Sequence, residues 1–139
     1  MKPFASILFA ASLSIASSAI AQETVAIDKA KVAASIWLAL VDSGDYAQSW
    51  EQSAAPFQAG IAKATWTGMV GSVRAPFGAF KSRIVKSADY MTTLPGAPAG
   101  EYVVIQYASQ FATVPSAIET VTPMRAADGS WRVSGYFIK

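Results

Sequence analysis

The stretch that decides the fold runs from Glu101 to Lys139 and reads EYVVIQYASQFATVPSAIETVTPMRAADGSWRVSGYFIK. Aromatic and β-branched residues recur through it and are typical of β-strands. The pattern predicts three consecutive strands, over 101–111, 116–127 and 130–139. Apolar residues occupy both faces of the first strand, which favours a central place in the sheet.

Two sequence signals predict how these strands connect and bend. Asp128-Gly129 separates the last two strands. Asp-Gly is favoured in type I′ hairpin turns, in which both central residues take positive φ. Pro123 cannot donate a ladder hydrogen bond, so we expect a sheet edge or a bulge at that point.

Helical periodicity dominates the chain before the strands. Apolar residues at helical spacing predict a helix over 28–41 with one apolar stripe. The stripe comprises Val32, Ala33, Ile36, Trp37, Leu40 and Val41. Asp28 is the expected N-cap, and Gly44 suits the left-handed residue that follows a helix. Asp45 then opens a short second helix, with Gln48 completing a capping box.

The middle of the chain predicts one more helix and one more strand. We expect a connection over 53–57, a helix over 58–73 that ends around Pro76, and a strand over 79–92. A Pro- and Gly-rich linker follows over 94–100. In the strand, one set of residues is expected to alternate with another: Phe80, Ile84, Ala88 and Tyr90 against Lys81, Arg83, Val85 and Asp89.

The order of these elements predicts the fold class. Helices followed by a run of strands are typical of an α+β fold rather than of alternating βαβ units. We therefore expect N-terminal helices packed on a bent antiparallel sheet of about four strands.

The first 21 residues have the pattern of a signal peptide. Lys2 supplies the positive charge, an apolar run follows over 4–15, and Ala19-Ile20-Ala21 fits a cleavage site. The run is too short to span a bilayer. We expect cleavage after Ala21, export to the periplasm, no stable membrane anchor afterwards, and a single α+β domain over 22–139.

Composition excludes several classes of function. The chain has 139 residues, no Cys and no His, and a formal net charge of +2. The usual metal-ligand sets and Ser-His-Asp or Cys-His catalytic machinery therefore cannot form, and we expect neither metal nor cofactor. Nucleic-acid-binding domains cluster basic residues more densely, so we expect no nucleic-acid partner.

Several spaced motifs together resemble one family. They are Gly44-Asp-Tyr46, Ser49-Trp50, Trp66, Arg74-Ala-Pro-Phe-Gly78, Arg83, Leu94-Pro-Gly96, Gly100-Glu-Tyr-Val-Val104, Glu119-Thr120 and Gly129-Ser-Trp-Arg-Val-Ser-Gly-Tyr136. The pattern is similar to the domain of unknown function 4019 family of small exported bacterial proteins. The resemblance implies a cystatin-like cone, similar to nuclear transport factor 2, in which helices pack into a bent sheet. It implies no activity.

Two arginines are candidates for ligand binding. Arg74 and Arg83 belong to a stretch, 52–88, that contains no acidic residue. Guanidinium groups match carboxylates and phosphates, so an anionic ligand is one interpretation. The alternative, which we favour, is structural pairing of an arginine with Glu119 or Glu101.

Glu119 has an apolar strand context that suggests a buried carboxylate. Such a group has either a raised pKa, which suits catalysis, or an arginine partner, which suits structure. We favour the structural interpretation. Asp89, Tyr107 and Tyr136 are the other candidates for acid or base chemistry.

The leading hypothesis is a non-enzymatic binding or interaction module with a small apolar cavity between helices and sheet. Its ligand would be a small hydrophobic or anionic molecule. The expected ligand-binding residues are Trp50, Trp66, Arg74, Arg83, Tyr107, Glu119 and Tyr136. One alternative is an enzyme of lyase, isomerase or hydrolase type that uses Glu119 or Asp89 with a tyrosine. The other is a protein whose exposed sheet face forms a homodimer or docks a partner.

Overall fold

Helices precede a four-stranded sheet in the computed structural model, which describes residues 13–139. The helices are α1 (Leu13–Asp42), α2 (Tyr46–Glu51), α3 (Ala55–Gly60) and α4 (Lys63–Arg74), and a 3₁₀ turn follows over Ala75–Phe77. The strands are β1 (Phe80–Met91), β2 (Tyr102–Phe111), β3 (Ala117–Arg125) and β4 (Trp131–Ile138). The predicted α+β class, with N-terminal helices on an antiparallel sheet, is confirmed.

The sheet is an antiparallel meander in the order β1-β2-β3-β4. The central position predicted for β2 is confirmed, because β1 and β3 pair with its two sides. Pro123 lies in β3 at a register shift, so the bulge is confirmed. β3 itself is an interior strand and not an edge.

The β3–β4 hairpin forms where it was predicted, but its turn is of another type. Gly129 has φ +84°, whereas Asp128 keeps a negative φ, so the type I′ prediction is wrong. The Gly129 N–H donates to the Ala126 carbonyl, and the Asp128 carboxylate accepts from the N–H and hydroxyl of Ser130. The aspartate therefore stabilises the turn through its side chain, with left-handed geometry at the glycine alone.

Helix α1 begins well before Asp28, so the predicted N-cap is wrong. The predicted signal peptide lies outside the described residues over 1–12 and forms the first part of α1 over 13–21. Residues 15–25 are all exposed. The buried face of α1 consists of Ala26, Ala30, Ala34, Trp37, Leu38 and Val41.

That buried face corrects the predicted stripe. Val32 and Ile36 were expected to face the sheet, but they are 60% and 56% exposed. The face rotates towards the alanines because these small side chains let the helix approach the sheet closely. The hydrophobicity pattern alone favoured the larger residues.

The region after α2 also differs from the prediction. The expected connection over 53–57 contains the start of α3, in which Pro56 occupies a tolerated first-turn position. Ile61 is extended and separates α3 from α4, so the single helix predicted over 58–73 is wrong. Asp45 caps α2 by accepting from the Gln48 N–H, as predicted, but its own N–H donates to the Leu40 carbonyl, so the second half of the predicted capping box does not form.

Two register shifts in β1 change which side chains face the helices. They lie between Phe80 and Ser82 and between Val85 and Ser87. Arg83 consequently pairs with Ser109 and turns towards the buried side, while Ile84 is 63% exposed. The predicted alternation is therefore wrong here, because each bulge inserts a residue and reverses the inside and outside positions that follow.

An aromatic cluster fills the space between the helices and the sheet. Trp37 lies 5.9 Å from Trp66 and 5.3 Å from Tyr136, measured between ring centroids. The Trp37 indole N–H donates to the Ser49 carbonyl and to Ser53 Oγ. Within residues 13–139, no helix is long and apolar enough to cross a membrane.

Candidate functional site

Six polar side chains meet under the C-terminal end of α1 and form what we call the Asp42–Glu119 cluster. They are Asp42 of α1, Arg74 of α4, Arg83 of β1, Ser109 of β2, Glu119 of β3 and Tyr136 of β4. The cluster thus connects two helices to all four strands. Its formal charge is balanced, since two arginines face two carboxylates.

Arg83 bridges both carboxylates. Its Nη1 and Nη2 donate to the two Asp42 oxygens at 2.7 and 2.9 Å. Its Nε and Nη2 donate to Glu119 Oε1 at 3.0 and 2.8 Å. The guanidinium also lies 3.9 Å from the ring centroid of Phe80. Paired N–H groups in a rigid plane make this arrangement specific to arginine.

Arg74 closes the cluster from the helical side. Its Nη2 donates to Asp42 Oδ1 at 2.9 Å, and its Nη1 donates to the Tyr136 hydroxyl at 3.3 Å. Asp42 lies in the last turn of α1, where the helix dipole disfavours a negative charge. The two arginines offset that effect.

Glu119 is 0% exposed and its oxygens are fully engaged. Besides the Arg83 bonds, it accepts from Ser109 Oγ at 2.6 Å and from the Tyr136 hydroxyl at 2.5 Å. The structure therefore confirms the pairing of Glu119 with an arginine that we favoured from the sequence. A carboxylate with this many donors is a poor proton acceptor for a substrate.

The cluster shifts the pKa values of its members. Burial raises the pKa of Tyr136 well above its usual value, and the adjacent Glu119 charge raises it further. Burial alone would lower the pKa of Arg83, but Asp42 and Glu119 outweigh burial and raise it. Tyr136 therefore stays neutral and the arginines stay charged through the physiological range.

The raised pKa of Tyr136 predicts alkaline destabilisation. Below pH ~10, tyrosine is protonated in both the folded and the unfolded chain. Above it the unfolded chain loses the proton first, so the free energy of unfolding falls as pH rises. Tyr136→Phe should reduce this decline, measured as urea midpoints between pH 8 and 11. Part of the decline should remain in Tyr136→Phe, because burial also raises the pKa of Tyr107.

A matched control for that experiment is Tyr46→Phe, at a half-buried tyrosine outside the cluster. This variant is expected to keep the wild-type decline because the cluster is intact. An equally steep decline in Tyr136→Phe and in the wild type would contradict the pKa assignment.

A groove runs beside the cluster, between α1 and the β1–β2 pair. We call it the α1–β1 groove, and its volume is about 670 Å³. Its lining includes Lys31, Leu38, Phe80, Arg83, Val85 and Tyr107. Tyr107 is 4% exposed, and its hydroxyl is the one buried side-chain polar atom without a hydrogen-bond partner in the described part of the chain.

A second groove lies on the other side of α1. This α1–β4 groove has a volume of about 480 Å³ and is lined by Val32, Ile36, Trp37, Trp131 and Val133, among others. Its wall is mostly apolar, and the exposed Val32 and Ile36 of α1 face it. In the described residues, no group of three or more acidic side chains could hold a metal ion.

Comparison with known proteins places the chain in a family. Residues 33–136 match the family described as Protein of unknown function (DUF4019). The chain belongs to this family. No curated protein and no solved structure matches the chain. The DUF4019 match spans every member of the Asp42–Glu119 cluster, and Tyr136 is its last residue.

The DUF4019 fold brings together some of the residues expected to bind a ligand. Arg74, Arg83, Glu119 and Tyr136 meet in the cluster, and Tyr107 lies beside Arg83 in the α1–β1 groove. The two tryptophans lie elsewhere. Trp66 is buried in the aromatic cluster with its N–H on Ser49 Oγ, and Trp50 donates to the Ile61 carbonyl.

Asp42, Ser109 and Lys31 were not predicted from the sequence as residues of the site. Asp42 carried a detectable signal, since an acidic residue at the C-terminal end of a helix is unfavourable unless a cation compensates it. Ser109 carried none, because a serine in an apolar strand is also compatible with simple packing. Lys31 faces the α1–β1 groove only because the buried face of α1 is rotated from the predicted stripe.

Proposed function

We propose that this DUF4019 protein is an exported, non-enzymatic binding module that holds a small ligand in the α1–β1 groove. The observation that carries the proposal is the buried, unpartnered hydroxyl of Tyr107, a residue that lines that groove. Buried polar groups in folded proteins are almost always hydrogen-bonded, so an exception calls for an explanation. A ligand supplies one.

The dimensions and lining of the groove support a small-molecule site. Ligand pockets commonly measure roughly 300–1,000 Å³ and combine apolar walls with a few polar groups. The α1–β1 groove has about 670 Å³, apolar residues from both layers, and polar residues that include Lys31, Arg83 and Tyr107.

The bonding of the cluster supports binding over catalysis. Glu119 accepts four hydrogen bonds from the protein itself, which leaves it unsuited to take a proton from a substrate. Tyr136 has a raised pKa and therefore stays protonated, and its hydroxyl donates a hydrogen bond to Glu119. It is therefore not available as a base either. Asp89, the other acid considered, lies in β1 opposite Val104 and away from the cluster. We therefore interpret the cluster as a rigid support for one side of the groove.

The proposal uses two of the seven residues expected from the sequence, Arg83 and Tyr107. For Trp50, Trp66, Arg74, Glu119 and Tyr136, ligand contact stays a prediction. Their hydrogen bonds within the fold support a structural role, with Trp66 and Tyr136 packed in the core.

Export is supported by where the core of α1 begins. Residues 15–25 are all exposed, and the buried face of α1 begins at Ala26. Cleavage after Ala21 would therefore leave that buried face intact. The first residue that lines the α1–β1 groove is Lys31, so cleavage after Ala21 would also leave the groove intact.

Native mass spectrometry of protein purified gently from the exported fraction tests the proposal. We expect a mass for residues 22–139 under denaturing conditions and an additional bound mass in the native spectrum. Ser35→Trp, which fills the groove, should abolish the additional mass. Ala47→Trp, at an exposed position on α2, is the matched control and should retain it.

Two results would contradict the proposal. An identical bound mass in Ser35→Trp would place the ligand elsewhere. A ligand-free dimer would favour the alternative in which the outer sheet face self-associates. Exposed apolar side chains on that face, Ile84, Ile118 and Phe137, provide a surface for it.

A further inference from the structure

The donors along the α1–β1 groove indicate what kind of ligand it takes. The Tyr107 hydroxyl is the first donor, since burial keeps its pKa raised and the group protonated. Arg83 supplies a second. A guanidinium has five N–H groups, and four of those on Arg83 donate to Asp42 and Glu119. The remaining N–H, on Nη1, makes no hydrogen bond to a described residue.

Lys31 is the third donor, and it adds a positive charge that no carboxylate of the groove or the cluster balances. Its side chain lines the groove, and within residues 13–139 its ammonium forms no ion pair. The Asp42–Glu119 cluster balances its own charges, with two arginines and two carboxylates. The groove and the cluster together therefore carry one uncompensated positive charge.

Apart from Ser35, Asp42 and Ser82, the rest of the lining is apolar. Leu38 of α1 and Phe80 and Val85 of β1 supply apolar surface to the groove. A ligand that fits these walls has a hydrocarbon body as well as a polar group.

We propose that the groove binds an amphipathic monocarboxylate, with its carboxylate among Tyr107, Arg83 and Lys31 and its hydrocarbon part between α1 and β1. This inference rests on the function proposed above and names its ligand class. One negative charge matches the single excess positive charge, and both carboxylate oxygens accept hydrogen bonds from the three donors. A phosphate dianion would leave one negative charge without a partner.

Octanoate is the probe, and 1-octanol, which has the same chain length without the charge, is its matched comparison. Both are titrated into ¹⁵N-labelled mature protein, and amide shifts are followed at Ser35, Val85 and Tyr107. We expect octanoate to shift these amides saturably and octanol to bind at least tenfold more weakly. Loss of a hydrogen bond to a charged group has an effect of that size.

Substitutions test which side chains bind the carboxylate of the ligand. Tyr107→Phe is expected to weaken octanoate binding about tenfold, and Lys31→Gln about threefold, as is usual for a more exposed charge. Lys29→Gln, on the same helix but facing the other groove, is the matched control and should bind as the wild type does.

The unliganded Tyr107→Phe protein gives a second, independent readout. Because the hydroxyl has no partner within the protein, its removal should leave the urea midpoint unchanged or raise it. A variant that is at least as stable as the wild type but binds octanoate more weakly supports the inference.

Three results would overturn it, and they differ in what they leave standing. Equal binding of octanoate and octanol would mean that the carboxylate contributes nothing to affinity, although the groove would still be a binding site. If Tyr107→Phe is less stable than the wild type but binds octanoate normally, the hydroxyl stabilises the fold, for example through a buried water, and does not contact the ligand. If neither probe shifts the groove amides, the inference and the proposed function of the groove both fail.

Discussion

Replacing Glu119 with glutamine is expected to lower the free energy of unfolding by about 3–5 kcal/mol, the usual cost of removing one partner from a buried ion pair. Glu119 is fully buried, and its charge balances Arg83 and Arg74. Glutamine keeps the shape but leaves the buried Arg74 and the partly buried Arg83 to share Asp42. Its NH2 group replaces one of the two carboxylate oxygens, so a donor then faces either Ser109 Oγ or the Tyr136 hydroxyl, each of which donates to Glu119 in the wild type. Urea denaturation followed by tryptophan fluorescence measures the change.

Glu101→Gln is the matched control, because Glu101 pairs with Arg125 in an exposed hydrogen-bonded ion pair. Exposed pairs contribute little, so this variant should lose much less stability than Glu119→Gln. Similar losses in the two variants would contradict the description of Glu119 as the centre of a buried network.

A double substitution separates charge balance from packing. Changing Glu119 to leucine and Arg83 to methionine together removes one charge of each sign. The pair should be less destabilising than the sum of the two single changes, because neither partner is left buried and alone. Strictly additive losses would mean that the two side chains act independently.

The second large effect is expected for Trp37→Ala, which should lower the free energy of unfolding by about 3–5 kcal/mol. Trp37 is 2% exposed and packs against Trp66 and Tyr136. Alanine would leave a cavity and would also leave the Ser49 carbonyl and Ser53 Oγ without their indole donor. Circular dichroism in urea is the suitable measurement, because it does not depend on tryptophan emission.

Ile36→Ala is the control for Trp37→Ala, since the two residues are neighbours on α1 and both belong to the apolar stripe predicted from the sequence. Ile36 is mostly exposed, so its replacement should change stability by no more than about 0.5 kcal/mol. Equal losses at the two positions would mean that α1 buries the predicted stripe and not the alanine face.

The candidate site was only partly predictable from the sequence. Pairing of Glu119 with an arginine could be predicted, because a carboxylate in an apolar strand context favours a cationic partner, but the choice of Arg83 could not. Tyr107 was predicted to bind a ligand, but its unpartnered hydroxyl could not be foreseen. Hydrogen bonding depends on which groups lie within about 3 Å, and spacing along the chain does not determine that.

The sequence by itself determined that helices precede the strands, the α+β class and the central place of β2, and it limited Pro123 to a sheet edge or a bulge. These follow from periodicity, from Pro and Gly chemistry and from the order of helices and strands, which are all local properties. Only the tertiary structure decided which face of α1 is buried and which side of β1 carries Arg83. Close approach through Ala30 and Ala34, together with two bulges in β1, set both orientations. Close packing selects side chains by how they fit a neighbouring layer as well as by their hydrophobicity, and that fit exists only once the layers meet.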